Sequence, residues 1–120
     1  MTSTMTTKDI ANRLVELCRT GQYVTAVDEL YADHIVSLEA ADPMKEIHGI
    51  EGVRGKNTWW LENHEVHGHS VDGPFVNENE FAVRFSFDIT PKATGTRVTM
   101  DEVAVYVVED GKIVQEKFYY

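Results

Sequence analysis

Trp60 and His64 stand four residues apart, and a helix through them sets both on one face with Ile50, Val53 and Asn57. An indole and an imidazole on a shared face suit the wall of a binding site. The first is flat and apolar, and the second is a polar handle that titrates near neutrality. The same spacing also suits a core tryptophan followed by a histidine that caps the helix end, and both readings stand at this point. With His67 and His69, His64 invites a metal reading. No cysteine joins the three, no His-x-x-x-His pair falls on a helix, and no orienting carboxylate can be assigned beside them. Structural or surface histidines are expected, with no metal and no cofactor. Gly49, Gly52 and Gly55 match a phosphate loop in glycine count alone, since no Lys-Ser or Lys-Thr follows at the required spacing. Cys18 falls on the apolar side of a helix, where a thiol is buried and unreactive unless something lowers its pKa and exposes it.

One domain must position these residues. A chain of 120 residues fits a single domain, 1–120, and can bury a core without disulfides, which its single cysteine rules out within the chain. With 42% hydrophobic and 26% charged residues it is neither a disordered chain nor a membrane protein. No apolar run approaches the roughly 20 residues of a membrane-spanning helix. Residues 1–7 are rich in Thr and Ser, lack the basic and apolar stretches of a signal peptide, and read as a flexible tail. A cytoplasmic protein is expected. The net charge of −9, with no Lys/Arg cluster to offset it, argues against nucleic acid and anionic membrane as partners.

Helical spacing of Ile10, Leu14, Leu17 and Cys18 predicts a first helix over residues 8–20, capped by Thr6 or Thr7 and stopped by Gly21. A second follows over 23–31, and the two form a hairpin. A short strand is expected at 35–39, a loop at 40–49 around Asp42-Pro43, and a third helix over 50–63. Beyond residue 65 the period changes from helical to two. Strands are predicted weakly at 66–71, ended by Gly73-Pro74, and strongly at 80–90, where Phe81, Val83, Phe85, Phe87 and Ile89 alternate with polar partners. Two more, 97–108 and 113–120, are joined by a hairpin at Glu109-Asp110-Gly111. Helices followed by an antiparallel meander give an α+β fold: a curved antiparallel sheet wrapped around three N-terminal helices, with a cavity between the layers.

Leu30-Tyr31-Ala32-Asp33-His34, the helix from Gly49 to Trp60 and the Asp110-Gly111-Lys112-Ile113-Val114 hairpin together resemble the nuclear-transport-factor-2-like superfamily, whose fold is cone-shaped and cystatin-like. Trp59-Trp60-Leu61-Glu62-Asn63-His64-Glu65-Val66-His67 and the ending Lys117-Phe118-Tyr119-Tyr120 are closer to a SnoaL-like branch without a settled activity. The superfamily includes ketosteroid isomerase, polyketide cyclases, dehydratases and plain binding domains, so the fold does not give the function. The isomerase's carboxylate base corresponds to Glu39, a group able to take a proton next to a carbonyl once partly withdrawn from water. Its oxyanion tyrosine corresponds to Leu14, which cannot donate a hydrogen bond. Its protonated acid corresponds to Val103, with Asp101 on the same strand face and Glu102 on the other. Steroid isomerisation does not carry over on this pattern.

Two functions follow from the resemblance and the residues. One is binding of a small hydrophobic ligand in the pocket, with Asn57, Trp60 and His64 along it. The other is cofactor-independent isomerase, cyclase or dehydratase chemistry, with Glu39 as general base and Asp101 or His64 as its partner. The outward-facing members among Tyr106, Phe118, Tyr119 and Tyr120, on the last two strands, predict an apolar outer patch and a homodimer through the sheet.

Overall fold

Helix α1 (Thr7–Arg19) starts at a reciprocal cap. The Thr6 hydroxyl accepts from the Asp9 N–H at 3.1 Å, and the Asp9 carboxylate accepts from the Thr6 N–H at 3.2 Å. Its apolar stripe, Ile10, Leu14, Leu17 and Cys18, is the buried face. Gly21, at φ 74°, turns the chain into α2 (Tyr23–Leu30), which buries Ala26, Val27 and Leu30. The computed structural model describes residues 5–40 and 45–120. Asp42-Pro43, expected in a loop, lies outside the described residues, as do residues 1–4 of the expected tail.

The chain continues through β1 (Tyr31–Leu38), β2 (Glu46–His48), α3 (Ile50–Asn63), β3 (His64–Asn77), β4 (Glu80–Pro91), β5 (Val98–Glu109) and β6 (Lys112–Tyr119). The six strands form one sheet in the order β2-β1-β6-β5-β4-β3. The fold is α+β, as expected, but the sheet is mixed rather than wholly antiparallel. β6 returns beside β1 and runs parallel to it, closing the long excursion through α3 and the meander. Every other pairing is antiparallel. Among the described residues, two of the three helices precede the first strand.

β2 falls within the segment expected as loop, and it pairs with the edge of β1 over three residues. β3 extends well past the expected 66–71. Pro74 does not end it, because β3 is an edge strand and its register shifts between Asp72 and Phe75 to admit the Gly73-Pro74 step. α3 begins after Gly49, at φ 91°, and a Cβ at Gly52 would lie 2.7 Å from the Ile47 side chain. Helix entry and close approach to β2 account for these glycines. α1 packs on β3 and β4, and α3 lies across β1, β2 and β3. The core between them takes the inward residues of β4, namely Phe81, Val83, Phe85, Phe87 and Ile89. Among the described residues no helix is long and apolar enough to cross a membrane.

Candidate functional site

A cavity of about 400 Å³ lies between the three helices and the sheet. Leu14, Val27, Trp60, Phe85, Phe87 and Met100 give it apolar walls. One end is polar and is built by alternation along two strands. In β1 and just beyond it, Ile35, Ser37 and Glu39 point inward. Ser37 pairs in register with Glu116 of β6, itself only 2% exposed. Lys56 of α3 descends onto them, at the helix position between the inward Val53 and Trp60.

These groups form a closed network. Glu116 accepts hydrogen bonds from the Tyr31 hydroxyl, from the Ser37 hydroxyl at 2.7 Å and from the Lys56 ammonium at 3.4 Å. Lys56 also donates to the Ser37 oxygen and, at 3.1 Å, to Glu39 Oε1, and its Nζ stands 4.7 Å above the Phe118 ring. Burial, reinforced by Glu116, pushes the Tyr31 hydroxyl well above the usual tyrosine range, so it remains a donor. Burial likewise pushes the Cys18 thiol up to about 12, and the thiol is inert.

Glu102 of β5 reaches the same cavity without such support. Burial first, then Glu39 and Glu116 against an opposing pull from Lys56, raise it from 4.5 to about 7. Among the described residues it has no ion-pair partner. Tyr23 also lines the cavity, and its hydroxyl is shielded from water with no hydrogen-bond partner among the described residues. Burial raises it above its ordinary range too.

Of the residues expected from the sequence, Glu39, Asn57 and Trp60 line the cavity. Two do not. Asp101 is exposed on the outer face, 3.7 Å from Arg84. Residues opposite one another in an antiparallel pair share a face, and Glu102, not Asp101, stands opposite the inward Phe85. His64 closes the end of α3, where its Nδ1 donates to the Trp60 carbonyl at 2.7 Å and its ring stacks on Trp60 at 4.5 Å. The helix-end reading holds for it, and Glu39 has Lys56 rather than His64 as its neighbour. His67 pairs with Thr90 and His69 with the Arg19 carbonyl, so the histidines have separate partners. No cluster of His, Cys, Asp and Glu able to hold a metal occurs among the described residues.

The sequence reading missed Tyr23, Tyr31, Lys56 and Glu116, and it weighed Glu102 only as the alternative to Asp101. Lys56 was visible in principle, three residues after Val53 and four before Trp60. Glu102 shares its parity with Ala104, Tyr106 and Val108, the inward residues of β5. Glu116 was hidden, because a register shift between Val107 and Val108 changes which residues of β6 face inward.

The SnoaL-like domain family matches residues 5–120. This chain belongs to the SnoaL-like family. A solved structure from Mesorhizobium loti, a candidate SnoaL-like polyketide cyclase also labelled carbohydrate phosphatase, is 55% identical. It superposes at TM-score 0.94 over 97% of this chain and 100% of that one. A protein of unknown function with a cystatin-like fold from Xanthomonas campestris superposes at TM-score 0.78 with 17% identity, over 96% and 90% of the two chains. A protein with a ketosteroid isomerase-like fold from Catenulispora acidiphila, in complex with trimethylamine, superposes at 0.74 with 16% identity, over 93% and 85%. The latter two share the SnoaL-like fold at an identity that speaks only of fold. No curated protein matches the chain.

Proposed function

We propose that this SnoaL-like protein binds a small, largely apolar organic molecule in its cavity, with the molecule's polar end at Glu39, Lys56 and Glu102. The observation that carries this reading is an apolar chamber of about 400 Å³ with a few convergent polar groups at one end. Small-molecule pockets have that make-up and run from roughly 300 to 1,000 Å³. The test is calorimetric titration with a neutral bicyclic alcohol, 2-naphthalenemethanol, on the native chain and on Met100→Trp, whose indole would occupy the chamber. Saturable binding, weakened about tenfold or more by the plug, is expected. Absent binding, or binding unchanged by the plug, contradicts the reading.

A second reading is favoured by one observation: two carboxylates in one cavity, Glu39 ion-paired to Lys56 and Glu102 held near 7 by burial. A carboxylate beside an ammonium and a second acid that burial keeps protonated suit the roles of base and acid. Here Glu39 removes a proton next to a carbonyl and the neutral Glu102, in place of Asp101, donates to the oxygen. Isomerisation, cyclisation or dehydration without a cofactor fits that pair. Glu39→Gln keeps the shape and cannot take the proton, so it should abolish turnover. Turnover that survives it sinks this reading.

The outer face of the sheet supports a homodimer. Val103 and Tyr119 sit opposite each other across β5 and β6 and are 38% and 50% exposed. A second copy would remove that apolar surface from water. Sedimentation should give a dimer that Val103→Glu dissociates; a monomer at all concentrations rejects it.

A further inference from the structure

We propose that the cavity selects an organic cation, a protonated amine carried on an apolar body. The inference rests on the reading of the cavity as a binding site. Its polar end holds three carboxylates, Glu39, Glu102 and Glu116, and one ammonium, Lys56. That ammonium is fully committed. An ammonium has three donors, and Ser37 Oγ, Glu39 Oε1 at 3.1 Å and Glu116 Oε2 at 3.4 Å take them. No donor is left for an anionic ligand, which would meet three carboxylates instead.

Glu116 is committed too, to Tyr31, Ser37 and Lys56. Glu102 is not. It lines the cavity with Glu39, Lys56, Glu116, Tyr23, Tyr106 and Tyr120, and no cation stands at ion-pair distance from it among the described residues. A ligand ammonium supplies the missing countercharge. Tyr23, on the same wall, has a hydroxyl that is buried and unpartnered among the described residues. Trp60 and Phe87, with ring centroids 5.2 Å apart, line the same cavity, and aromatic rings attract cations.

Three ligands of one shape and different charge test this: 2-(aminomethyl)naphthalene, 2-naphthalenemethanol and 2-naphthoate, titrated calorimetrically near neutral pH. The amine is expected to bind about tenfold or more tightly than the alcohol, and the naphthoate most weakly. Glu102→Gln should bring amine and alcohol within about threefold of each other. Amine and alcohol binding equally, or naphthoate binding most tightly, overturns the cation inference and leaves the binding reading standing. An amine preference that survives Glu102→Gln overturns the assignment to Glu102. Saturable binding by none of the three overturns both inference and binding reading.

Discussion

Glu116 and Glu102 reach one cavity from adjacent strands and stand in opposite chemical situations. Glu116 is 2% exposed and accepts from a hydroxyl on either side and from an ammonium. Glu102 is half-buried, has no ion-pair partner among the described residues, and is raised to about 7. The tyrosines repeat the contrast: Tyr31 donates to Glu116, whereas the Tyr23 hydroxyl has no partner among the described residues. A buried polar group that is satisfied by its own chain belongs to the architecture. One that its own chain leaves unsatisfied in a cavity is open to a ligand or to water, because an unmade hydrogen bond there costs stability.

The strongest way to break this comparison is to remove the committed acid. Glu116→Ala leaves Lys56, Ser37 and Tyr31 without their shared acceptor, and should cost about 3–5 kcal/mol in urea unfolding. A loss under about 1 kcal/mol, the scale of an exposed pair, would erase the distinction.

Removing the charge of the uncommitted acid should act in the other direction, and only at high pH. The folded chain holds the Glu102 proton up to about 7 against an ordinary 4.5, so folding favours the protonated form. Its contribution is complete below the unfolded pKa and is lost as pH rises through the folded one. Glu102→Gln cannot ionise. Near pH 8 it should be more stable than the native chain by about 1–3 kcal/mol, and the gap should close by about pH 5. A difference independent of pH contradicts the burial of Glu102. The smallest effects sharpen the tyrosine contrast. Tyr31→Phe should lose about 1.5 kcal/mol and Tyr23→Phe should gain up to about 1 kcal/mol in the ligand-free protein. Equal losses would make the two hydroxyls equivalent.

Much of this fold was legible because its elements follow local rules. The stripe of α1, the alternation of β4 and the Asp110-Gly111 turn each state their structure within a dozen residues. The parallel pairing of β1 with β6 was not legible, since no local pattern says where the chain returns. The candidate site was readable in part for the same reason. Asn57 and Trp60 follow from spacing within one helix, and Glu39 from the family resemblance; all three line the cavity. Asp101 was preferred over Glu102 because a one-residue difference in parity exchanges the two faces of a strand. Lys56 and Glu116 meet only through three elements distant in sequence, and neither charge is interpretable before its partner is known.

The direct measurement is the carboxyl carbon shift of Glu102, followed by NMR across pH without ligand. An inflection near 7 is expected, moving down when 2-(aminomethyl)naphthalene fills the cavity and supplies the countercharge. An inflection at the ordinary 4.5, unmoved by the amine, would show that Glu102 is neither desolvated nor waiting for a partner.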